Sequence, residues 1–108
     1  MTIGWGIIGT GNYPDASIAP AINQAKDAGL IAVYSRDQGR GEAFAQKHGA
    51  KTAYTSVEDL LNDSRVDAVY VASPNHLHAS HTGLAAIAGK HVLVEKPLAV
   101  NRVQIMRT

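Results

Sequence analysis

The sequence predicts an α/β fold, a doubly wound parallel sheet of Rossmann type with strand order 3-2-1-4-5. Three observations carry this. Short, nearly unbroken apolar runs alternate with helical stretches along the whole chain, as a sheet covered on both faces requires. The first run, Ile3 to Ile8, leads directly into Gly9-Thr10-Gly11, a glycine turn of the kind that joins a strand to a helix around a phosphate. Crossovers between parallel strands are right-handed, which leaves this strand order as the expected one.

The elements follow in order. Gly9 permits a tight turn and Gly11 a close approach of main chain to an anion; the third position of the G-x-G-x-x-G pattern is Pro14, so two of three positions match. With Ser17 as N-cap, Pro20 falls in the first turn of a first helix and loses no hydrogen bond. That helix is expected to end near Ala28 with Gly29 as its cap. Leu30 to Tyr34 reads as a second strand. Asp37 can cap a second helix running to His48 and stopped by Gly49, with Gly39 and Gly41 weakening its first turn. Lys51 to Tyr54 reads as a third strand, and Ser56-Val57-Glu58-Asp59 has capping-box spacing for a short helix through Leu61.

Val66 to Ala72 is the clearest strand, ended by Ser73-Pro74 because the residue before a proline stays extended. Asn75 is a good N-cap for a helix whose apolar face is expected to be Leu77, Leu84, Ile87 and Ala88, closed by Gly89. His91 to Val94 is a fifth strand, broken by Glu95-Lys96-Pro97. Asn101 can cap one more helix, of only a few residues before Thr108.

A chain of 108 residues is one domain by length, large enough for one core. Its net charge of +1, with the basic residues dispersed, argues against a nucleic-acid groove or a membrane-surface patch. Without cysteine there is neither a disulfide nor thiolate chemistry. A strand beginning at Ile3 leaves no room for a signal peptide, so a cytoplasmic protein is expected.

In such a sheet ligands bind beyond the carboxyl ends of the strands, at the switch point between the first and fourth. Four polar clusters stand there: Gly9 to Asn12, Ser35-Arg36, Ser73 to Asn75, and Glu95 to Pro97. They favour a dinucleotide. At the end of the second strand, where NAD-binding domains usually carry Asp or Glu for the ribose 2′-hydroxyl, the chain has Ser35-Arg36. Asp37 is expected to turn into the helix cap. The planar guanidinium suits a phosphate, so NADP is expected over NAD. His76, His78 and His81 look like metal-ligand spacing, but the first two diverge by about 200° on a helix and no cysteine can complete a site. No metal is expected.

Together, Ile7-Ile8-Gly9-Thr10-Gly11-Asn12, Tyr34-Ser35-Arg36, Ser73-Pro74-Asn75-His76-Leu77-His78 and Gly89-Lys90-His91-Val92-Leu93-Val94-Glu95-Lys96-Pro97 resemble the Gfo/Idh/MocA family of NAD(P)-dependent oxidoreductases over nearly the whole chain. Pro14 is the main departure and bears on packing of the first helix more than on the cofactor. The resemblance implies that Gly9, Thr10, Gly11, Asn12 and Tyr13 hold the pyrophosphate, and that Ser35 and Arg36 face the adenosine ribose. It implies that Ser73, Pro74, Asn75 and His78 line the path toward the nicotinamide. Glu95 and Lys96 would sit at the nicotinamide ribose, with Lys96 the catalytic residue that binds and polarises the hydroxyl losing hydride.

The family's second domain, which supplies the substrate pocket and usually the dimer surface, is expected to be missing, so that residues 1–108 are a dinucleotide-binding domain truncated at its C-terminal end. The function implied is the cofactor-binding half of an NADP(H)-dependent oxidoreductase acting on a sugar, cyclitol or polyol, without turnover by this piece alone. The alternative is a stand-alone dinucleotide-binding sensor or regulatory module.

Overall fold

Strand β1 (Ile3–Ile8) lies inside a six-stranded sheet, flanked by β2 (Ala28–Tyr34) and β4 (Ala68–Val71), both parallel to it. Outside these stand β3 (Thr52–Tyr54) and β5 (His91–Glu95), again parallel, which completes the expected order 3-2-1-4-5. The coordinates are a computed structural model describing residues 3–11, 17–72, 75–95 and 103–106, with side chains at all of these except 75, 76, 78, 94, 95 and 103–106.

A sixth strand, β6 (Val103–Met106), pairs antiparallel with the outer edge of β5. It replaces the helix expected after Asn101. A helix of a few residues is marginal alone, whereas the edge of β5 offers a row of unpaired N–H and C=O groups, and β-branched Val103 and Ile105 suit a strand.

Successive strand residues face opposite sides, and both sides are covered, which is why the strands read as continuous apolar runs. On one face Ile7, Leu30, Val33 and Tyr70 pack against Ala19 and Ile22 of α1 (Ala19–Gln24) and Phe44 and Ala45 of α2 (Gln38–His48). On the other, Ile8, Ala32, Val69 and Val71 pack against Val57, Leu60 and Leu61 of α3 (Val57–Leu61) and Ala85 of α4 (Asn75–Ile87). None of these helices is long and apolar enough to cross a membrane.

Three caps form as the sequence indicates. Asp37 accepts from the Arg40 N–H at 3.1 Å, Ser56 from the Asp59 N–H at 3.4 Å, and Gly49 closes α2 in the left-handed conformation at φ 76°. The first helix differs. It is shorter than expected, with Ile18 rather than Ser17 at its N-cap and extended Ala25 at its end, while Pro20 does sit in the first turn. Gly29 is not a cap; it lies in β2 opposite Gly4.

Helix α4 is also turned away from its expected face. Ile87 is 86% exposed and Leu84 37%, while His81 and Ala85 are buried. The inward stripe is therefore Leu77, His81 and Ala85, one turn apart each. Small Ala85 lets the helix settle on the sheet, and the His81 ring meets Tyr34 of β2 edge-on.

The amino ends of the strands are tied by a polar cluster. The Asp67 carboxylate accepts the Gly4 N–H at 2.8 Å, and a Cβ on Gly4 would lie 2.0 Å from the Arg65 carbonyl oxygen, so only glycine fits. Asp63 accepts from Arg65 Nε at 2.9 Å and from the Tyr54 hydroxyl at 2.9 Å. Lys90 Nζ donates to the carbonyls of Asp63 and Val66. The Arg65 hydrogen bonds hold the Asp63 carboxyl far below the usual carboxylate range against the opposing effect of burial; burial first, then the bond to Asp63, pushes the Tyr54 phenol up.

Candidate functional site

At the carboxyl end of β1 the sheet opens. The Ile8 carbonyl still accepts from Ala72 N–H at 2.9 Å on the β4 side, and Gly9 N–H donates to the Tyr34 carbonyl at 3.0 Å on the β2 side. Then Gly9 turns the chain out with φ 117°, a conformation that side-chain-bearing residues rarely adopt. This is the switch point where the strand order reverses.

A cavity of about 710 Å³ opens there. It is lined by Gly9, Thr10 and Gly11 of the glycine turn, by Tyr34 to Asp37 and Arg40 from the end of β2 and the start of α2, and by Ala72, Leu77 and His81 from the end of β4 and from α4. Among the described residues, a Cβ on Gly11 would meet nothing within 4 Å, which leaves the room that a diphosphate-binding turn needs.

Ser35 is buried and knits the corner together. Its Oγ accepts from the Asp37 N–H at 3.2 Å and lies 3.3 Å from Thr10 Oγ1, which donates to it. The hydroxyl therefore joins the glycine turn to the end of β2. Arg36, next along, is exposed on the cavity wall.

Asp37 also lines the cavity, but its Oδ1 is engaged at the N-terminus of α2. The same capped turn brings Arg40 to the wall beside Arg36. Gly41 allows this approach: a Cβ there would lie 3.3 Å from the Ser35 Cβ and 3.6 Å from the Ala53 Cβ. The glycine that weakens the helix start thus lets α2 press against the corner of the site. Among the described lining residues, Arg36 and Arg40 stand against Asp37, an excess of one positive charge.

Of the residues singled out from sequence, the structure brings Gly9, Thr10, Gly11, Ser35 and Arg36 together around one cavity. Asn12, Tyr13, Ser73, Pro74 and Lys96 lie outside the described residues. Asn75 and His78 belong to the first turns of α4, and Glu95 is the last residue of β5, opposite Val103; their side chains are not described. Arg40 and His81 were missed as parts of this cavity. For Arg40 a signal existed, since the residue three after an N-cap lies in the same first turn as the cap. For His81 no signal existed beyond its place four residues after Leu77. Among the described residues no cluster of His, Asp or Glu could hold a metal ion.

Fold and cavity together define a doubly wound nucleotide-binding domain. Residues 3–108 match the model of the oxidoreductase family with an NAD-binding Rossmann fold, Gfo/Idh/MocA, and the chain belongs to that family. Over 97 residues, 90% of this chain and 30% of the relative, it is 45% identical to a D-xylose 1-dehydrogenase (NADP(+)) of Haloferax volcanii. It is 42% identical to a scyllo-inositol 2-dehydrogenase (NADP(+)) of Bacillus subtilis, over 92% of this chain and 30% of the relative. Among solved structures, a 3-ketoreductase from Actinomadura kijaniata in complex with NADP and TDP-benzene superimposes with a TM-score of 0.86 at 35% identity, covering 92% of this chain and 30% of that one. The chain thus spans about a third of the length of the relatives it matches.

Proposed function

We propose that the chain is the cofactor-binding part of an NADP(H)-dependent oxidoreductase that moves hydride between nicotinamide and a hydroxyl or carbonyl carbon of a sugar, cyclitol or polyol. The observation that carries this is the presence of both Arg36 and Arg40 in the cavity lining while Asp37 is engaged at the helix start. A guanidinium pair suits a ribose 2′-phosphate, and an acid already capping a helix is a poor acceptor for a ribose 2′-hydroxyl. The NADP(+) in the names of the two dehydrogenases, and the NADP in the ketoreductase complex, support the same cofactor.

The described residues suit the diphosphate and the adenosine ribose, and the remaining roles follow the family resemblance. Gly9, Thr10 and Gly11, with Asn12 and Tyr13 after them, would take the diphosphate; Arg36 and Arg40 the 2′-phosphate. Ser35 would keep the corner in shape and meet the ribose. Ser73, Pro74, Asn75 and His78 would line the way to the nicotinamide, with Glu95 at its ribose. Lys96 would bind the reacting hydroxyl and share its proton, a task suited to a compact cation on a flexible stem. The bound cofactor supplies or accepts the hydride.

The dispersed charge and net +1 support a small-molecule partner rather than a nucleic acid or a membrane, and the same reading takes the protein to be cytoplasmic. Homo-oligomerisation, where it occurs, would run through the family's second domain. Fluorescence titration with reduced cofactors tests the proposal. Saturable binding of NADPH, tighter than that of NADH, is expected; absence of binding by both would overturn it.

A further inference from the structure

Helix α4 turns a polar ring inward where an aliphatic side chain would serve packing as well. His81 is 7% exposed, between Leu77 one turn before it and Ala85 one turn after it. Its ring stands edge-on to Tyr34, with centroids 6.1 Å apart and planes at 74°, an arrangement that aromatic rings favour. Both residues line the cavity.

Tyr34 is the residue on which the site is hung. Its carbonyl accepts the Gly9 N–H, so the glycine turn is fastened to it. Its backbone pairs with Ile8 on one side and Tyr54 on the other. The chain continues from it into Ser35 and Arg36. A side chain that steadies the Tyr34 ring therefore acts next to both the diphosphate turn and the arginine corner.

We infer that His81 is a positioning residue for the cavity: reaching from α4, it braces Tyr34, holds the tip of β2, and so sets the distance between the glycine turn and Arg36. This brace belongs to the fold of the free protein. Its consequence for the cofactor rests on the reading of the cavity as an NADP site.

The test uses the full chain with His81→Ala and His81→Phe, the second keeping a ring to meet Tyr34. Amide hydrogen exchange is read at Gly9 and, for comparison, at Val69 in the core; NADPH and NADH titrations are run in parallel. In His81→Ala, exchange at Gly9 is expected to quicken at least about fivefold more than at Val69, and NADPH affinity to fall by a similar factor; His81→Phe should restore both to within about twofold. In a Tyr34→Leu background, His81→Ala should quicken exchange at Gly9 less than it does alone, because the ring contact with Tyr34 is already gone. Exchange that rises equally at Gly9 and Val69 would mark His81 as general packing and overturn the inference. So would unchanged exchange at Gly9. If the unmodified chain binds neither cofactor, the site reading fails, and the Gly9 comparison still decides the role of His81.

Discussion

Removing Arg36 and Arg40, singly and together, should separate the two nicotinamide cofactors. Both side chains are exposed on the cavity wall beside the Ser35 corner. A hydrogen bond between charged groups is worth about 1.5–3 kcal/mol, and exposure to water argues for the lower end. At about 1.4 kcal/mol per factor of ten, each single alanine variant should weaken NADPH binding about tenfold, and the double variant about a hundredfold if the two act independently. NADH lacks the 2′-phosphate, so its affinity should stay within about twofold. The assay is fluorescence titration at low salt, repeated at higher salt, where screening should shrink the NADPH losses. Equal losses for both cofactors, or no loss for either, would refute the assignment of this wall to the 2′-phosphate.

Three substitutions test the frame beneath the site. At Gly11 a Cβ meets no atom of the described residues within 4 Å, so the stability of Gly11→Val should change by less than about 1 kcal/mol, while a branched side chain in the cavity should lower NADPH affinity more than about tenfold; denaturant unfolding and titration read the two effects. Gly4→Ala drives a Cβ to within 2.0 Å of the Arg65 carbonyl oxygen, and should lose about 3 kcal/mol or fail to fold, seen by circular dichroism. Asp63→Asn should cost about 1 kcal/mol at neutral pH, a low figure because Arg65 is half exposed. The pH dependence has a definite sign. Because the Asp63 carboxyl titrates lower in the folded state than in the unfolded, its contribution is complete above the usual carboxylate value of 3.8 and drains away as pH falls below it toward the depressed folded value. Thermal unfolding between pH 5 and about pH 2 should therefore fall more steeply for the unmodified chain than for Asp63→Asn.

The sheet was legible because its signal is carried by the chain itself. Buried runs such as Ile7-Ile8 and Val69-Tyr70-Val71 leave no choice of face, and caps at Asp37, Ser56 and Gly49 are local chemistry. The end of the second strand was legible for the same reason: Ser35-Arg36 sits one step past Tyr34 wherever that strand stops. What escaped depends on contacts between elements. The phase of α4 is set by Ala85 against the sheet and His81 against Tyr34, and apolar periodicity points instead to Leu84 and Ile87, which face outward. Arg40 reaches the site because Gly41 lets α2 approach Ser35, a fact of packing that propensity reads as weakness. The final segment pairs with β5, although a cap-like Asn101 suggests a helix.

The diphosphate turn itself is best tested by isotope-edited NMR of the full chain during titration with NADP+. Saturable shifts concentrated at the Gly9, Thr10, Gly11 and Arg36 amides are expected, with those of β3 and α3 little changed. Saturable binding that leaves the Gly9 to Gly11 amides unmoved would contradict the account.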